Sequence, residues 1–101
     1  MNILEIRLRL AALGMTHGAK WKPELRDAYA AALAAGSPVD AIVGAVKAVG
    51  GAAPKPLSAE GAQALDAAAE AVIMYGWHGA EGQALALRQA LKPQLPEAAH
   101  E

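Results

Sequence analysis

The residues able to do chemistry are few and far apart in this sequence. His78 and Glu81 stand three residues apart, a spacing at which two side chains on one helical turn could share a metal ion. A zinc site takes three or four protein ligands, and no third stands nearby, with His17 and His100 too scattered to form a cluster. Cysteine is absent, which removes thiolate ligands, thiol nucleophiles and disulfides, and fits a reducing compartment. Ser37 and Ser58 each precede a helical pattern, where a hydroxyl caps the first turn, and neither stands in a nucleophile elbow. The carboxylate pairs Glu24/Asp27 and Asp66/Glu70 read as solvated helix faces, because general acid work needs a carboxyl whose pKa burial has raised. Gly50-Gly51 lacks both the preceding strand and the Lys-Ser/Thr ending of a phosphate loop. The reading is a protein that is not an enzyme, with no metal and no cofactor.

Two aromatic clusters are better suited to binding. Lys20, Trp21 and Lys22, followed by Arg26, combine a stacking surface with positive charge, as single-strand binders and anion clamps do. The opposing reading folds Trp21 onto the core while the lysine stems snorkel to water. Tyr75, Trp77 and His78 stand around Gly76 and Gly79, a flexible corner from which Trp77 can project as an anchor or turn inward as a plug. These seven residues are the candidate partner-binding positions.

The elements that must carry them are helical. Alanine occupies 27 of 101 positions; it has the highest helix propensity and lets neighbouring helices approach closely. Asn2 and Glu5 have capping-box spacing, and Ile3, Ile6, Leu10 and Leu13 recur at helical period up to Gly14, a natural terminator. A strand competes for the same stretch, since Leu4, Ile6, Leu8 and Leu10 alternate with charged residues. Met15 to Lys22 reads as a connector. Pro23 opens the next helix, with Leu25, Tyr29 and Leu33 as its apolar stripe and Gly36 as its end. Ser37-Pro38-Val39-Asp40 is a restart, and Val39, Ile42, Val43, Val46 and Val49 form one face of the helix that follows. After the linker-like residues 50–56, Ser58 caps a helix running to about Tyr75 through Leu65, Ala69 and Val72. A last helix carries Ala80, Ala84, Leu87 and Leu91 until Pro93, and residues 93–101 form a tail. The expected fold is an all-α compact bundle of four to five short helices in a single domain spanning 1–101, with an N-terminal strand as the minority alternative.

The formal net charge is only -1, but residues 1–55 hold a net +3 and residues 56–101 a net -4. The split suggests that one half packs on the other, or that copies associate head to tail. No membrane span and no targeting signal is apparent, so the protein reads as soluble and cytoplasmic. Residues 25–50 are loosely similar to the helix–turn–helix of small phage packaging or regulatory proteins, and no residue role carries over from that likeness. The stretch from Val39 to Val49 offers only Asp40 and Lys47 as charged side chains, and no Arg, Asn or Gln to read base edges. Together these features describe a non-enzymatic protein–protein interaction module, a small adaptor or inhibitor of bacterial or phage type that occupies a partner's surface and can self-associate. A nucleic-acid-binding regulator using residues 20–49 is the alternative, and an oligomeric structural component built on the Ile3–Leu13 surface is the third reading.

Overall fold

In the computed structural model, residues 2–17, 26, 30, 32–50 and 59–95 are described. The regular elements among them are all helical, as the composition predicts. Four α-helices run over Ile3–His17 (α1), Pro38–Val49 (α2), Ala59–Tyr75 (α3) and Glu81–Leu91 (α4), with 3-10 turns at Trp77–Gly79 and Lys92–Gln94. Arg26, Ala30 and residues 32–34, ahead of α2, are helical as well.

The first helix resolves the competition between strand and helix. Asn2 Oδ1 accepts the Glu5 N–H at 2.7 Å, while the Glu5 carboxylate reaches forward to Arg9 Nη2 at 3.0 Å. Ile6, Leu10 and Leu13 are buried, whereas Leu4 and Leu8, which would share a face with Ile6 in a strand, are more than half exposed. The helix does not stop at Gly14 but continues to His17, three residues into the expected connector. Gly within a helix costs only about 1 kcal/mol against Ala, too little to end a helix whose buried face already holds it.

Ser37 caps α2 as expected: its Oγ accepts the Asp40 N–H at 3.1 Å, and Pro38 occupies the first turn. The β-branched face of α2 is buried through Ile42, Val43, Val46 and Val49, which compensates for residues that are poor intrinsic helix formers. Gly50 ends the helix at φ 66, and its N–H bonds to the Val46 carbonyl. In α3, Leu65, Ala69 and Val72 are buried, and in α4 Ala84, Leu87 and Leu91 are, preceded by Ala80. The expected Ser58 cap lies outside the described residues.

One hydrophobic cluster takes side chains from all four helices, and among the described residues no polar or charged side chain is buried in it. Leu10, Ile42, Leu65, Leu87, Leu91, Val46 and Val72 fill its centre, with alanines between them. Burial of such side chains supplies roughly 1.5–3 kcal/mol each.

Three expectations are corrected. Leu33, placed on an inward stripe by its spacing, is 54% exposed; Ala32 faces the core instead, and its carbonyl accepts from Arg7 Nε at 3.1 Å. The small Ala32 side chain allows this close approach to α1, where a leucine would hold the backbones apart. Leu25 and Tyr29 lie outside the described residues. Residues 93–95 of the expected tail belong to the bundle, because Lys92–Gln94 form a 3-10 turn and Leu95 packs against the core; residues 96–101 lie outside the described residues. The charge split does not join the halves by cation–carboxylate pairing among the described residues. There, Arg9–Glu5 lies within α1, Arg88–Asp66 links α4 to α3, and Asp40 meets only His78. The contacting faces are apolar.

Candidate functional site

A groove opens between the first turns of α1 and the last turns of α3, with a volume of about 560 Å³. Ile3, Leu4 and Ile6 form one wall; Ala67, Ala71, Met74 and Tyr75 form the other, with Asn2 and Glu70 as its polar groups. The floor is small because α3 presents alanine there, and small side chains let α1 settle close below the mouth. Leu4 at 52%, Met74 at 64% and Tyr75 at 58% exposure form the rim. Large apolar side chains gathered at one cleft are an unusual use of surface, and they suit the insertion of another apolar side chain. Glu70 adds a place for an accompanying cation.

The corner that follows α3 extends this surface. Gly76 takes φ 63 and ψ 33, which ends α3 in the left-handed region and turns the chain sharply. Tyr75 and Trp77 then stack, with ring centroids 5.0 Å apart and planes inclined by 18°. Trp77 is half-buried against the core, so it is partly the plug and partly the platform that the sequence left open. Its position fixes Tyr75 at the groove's edge, an arrangement in which a rigid aromatic costs little entropy on binding. His78, at φ 54, carries its ring to α2, where Nε2 lies 2.9 Å from Asp40 Oδ1. A carboxylate only accepts, so the ring nitrogen donates.

The seven candidate positions thus separate. Tyr75 and Trp77 come together beside the groove, and His78 is committed to Asp40 rather than to Glu81. Arg26 is helical and exposed, while Lys20, Trp21 and Lys22 lie outside the described residues. Among the described residues, no three His, Cys, Asp or Glu side chains gather as a metal site would require. Within α2, Asp40 and Lys47 are the exposed positions. No helix among the described residues is long and apolar enough to cross a membrane.

Met74 was missed by sequence reasoning, and Leu4 and Leu8 entered it only within the Ile3–Leu13 surface of the third reading, not as positions singled out. The signal was present: Leu4 and Leu8 are the very residues whose alternation suggested a strand, and in a helix they fall outside the buried stripe. Once α1 is helical, their hydrophobicity has no use inside the molecule. Comparison adds no external guide, since no protein family, curated protein or solved structure matches the chain.

Proposed function

We propose that this chain is a non-enzymatic protein-binding module, an adaptor or inhibitor that works by occupying a partner's surface. The observation that supports it most is the rim of Leu4, Met74 and Tyr75 around a groove of about 560 Å³. Aromatic residues and methionine concentrate at protein contacts, and a rigid ring seated beside a pocket is a typical anchor. The stacked Trp77 supports Tyr75 from behind and adds contact area of its own. The cysteine-free composition fits work in a reducing compartment such as the cytoplasm.

The test is capture from extract by tagged chains, followed by identification of the retained proteins and by circular dichroism of each bait. Met74→Glu and Tyr75→Ala are expected to lose a protein that the wild-type chain retains, with helicity unchanged, because both side chains are exposed. Lys47→Ala, exposed on α2, is expected to retain it. Identical retention by all four baits would overturn the groove as the contact surface.

A further inference from the structure

We propose that the corner at residues 76–80 is a hinge through which two copies of the chain exchange α4, each copy's α4 taking the place of the other's. Three of the four residues from 76 to 79 have positive φ: Gly76 at 63, His78 at 54 and Gly79 at 68. The glycines adopt such values freely, but His78 carries a Cβ and is strained there. A short, strained connection favours exchange, because opening it relieves the strain while the other native contacts are remade with a second copy. The corner is the connection through which α4 leaves the bundle, and no α-helix follows α4 among the described residues. A single hinge therefore frees it.

The sequence allows the opened corner to be helical. Val72, Gly76, Ala80, Ala84, Leu87 and Leu91 follow one another at intervals of three or four residues, the period of one helical face. All of them except Gly76 are buried in the core. With residues 76–80 helical, α3 and α4 join into one helix whose core-facing side is unbroken from end to end. Asp66 and Arg88, whose side chains meet at 3.0 Å in the bundle, fall about 40° apart around that helix. Two such helices lying antiparallel about a two-fold axis set α3 of one copy against α4 of the other. Each Arg88 then meets the second copy's Asp66. The cores are rebuilt from the same side chains, so the pair needs no surface that the bundle does not already bury.

Two contacts hold the corner closed. His78 Nε2 donates to Asp40 Oδ1 on α2, and Tyr75 stacks on Trp77. Residues two apart do not face each other on a helix, so straightening the corner breaks the stack. Gly76 and Gly79 also disfavour the helix. These terms oppose the strain at His78, so the closed form holds in dilute solution and the exchanged pair forms when the chain folds at high concentration.

The test is refolding from urea at about 1 µM and at about 1 mM, followed by size-exclusion chromatography with light scattering. The wild type is expected at 10.3 kDa from the dilute sample and to include a species of twice that mass from the concentrated one. Gly76→Ala combined with Gly79→Ala is expected to pair at least about 100-fold more tightly, since alanine is strained at both closed positions and favours the helix. Gly82→Ala, within α4 and with open space around it, favours the helix equally in both forms and is expected to leave pairing unchanged. Exchange itself is read from Asp66→Arg and Arg88→Asp, each of which sets like charges together in the closed form. In their equimolar mixture, only exchange of α4 between the two variants places opposite charges at both junctions, so a heterodimer is expected in excess over the homodimers. The proposal is overturned by a wild type that refolds only as monomer at about 1 mM, by a double-alanine chain that pairs no better than the wild type, or by a mixture without excess heterodimer.

Discussion

Among the described residues, His78 is the one non-glycine position with a positive φ. It sits at φ 54 between Gly76 at φ 63 and Gly79 at φ 68, in a region that costs a residue with a Cβ roughly 1–2 kcal/mol. The hydrogen bond to Asp40 offsets part of that cost and ties the corner to the first turn of α2. Gly76 avoids the cost by having no Cβ, and a Cβ built there would stand 3.0 Å from Glu81 Oε2. The carboxylate is the far end of a flexible side chain and can move, so the conformational term decides the outcome. Gly76→Ala is therefore expected to destabilise the fold by about 1–2 kcal/mol, measured as a lower urea midpoint. An unchanged midpoint would mean that the corner relaxes into another turn at no cost.

At the scale of single elements, α2 shows the balance between local signals and packing. Its valines and isoleucine disfavour a helix in isolation, so its start must be held by the cap and its body by the core. Ser37→Ala removes the acceptor for the Asp40 N–H and is expected to cost about 1 kcal/mol, whereas Ser37→Gly costs only a few tenths. Thermal denaturation of the two variants distinguishes them; equal losses would show that the hydroxyl does not cap in solution. The return from α3 to α4 depends on different forces. Arg88 Nε meets Asp66 Oδ1 at 3.0 Å across the two helices, with the aspartate side chain 19% exposed. Because the corner already links the end of α3 to the start of α4, this second tie at Arg88 shows that the helices run back along each other.

For the whole molecule, the shared hydrophobic cluster predicts a single cooperative unit. Side chains from every described α-helix meet in it, so no helix can leave without exposing the surfaces of the others. In a Trp21→Phe chain, Trp77 fluorescence and the far-ultraviolet circular dichroism signal are expected to melt in one superimposable transition. Two separated transitions would show that the α3–α4 pair unfolds independently of α1 and α2.

The sequence by itself determined that the chain is helical and which faces of α2, α3 and α4 turn inward, because helical period and capping are local properties carried by neighbours three and four residues away. It was legible at Ser37-Pro38, at the valine face of α2, and at the two glycines around Trp77. Tertiary structure decided the rest. Ala32 rather than Leu33 meets the core because α1 passes close enough for Arg7 to reach a carbonyl 25 positions away. His78 faces Asp40 across 38 positions rather than Glu81 across three. Leu4, Met74 and Tyr75 came together only when the start of α1 was laid against the end of α3. Such contacts depend on which surfaces the packed helices leave uncovered, and that is settled by the shape of the assembled bundle, which no local pattern records.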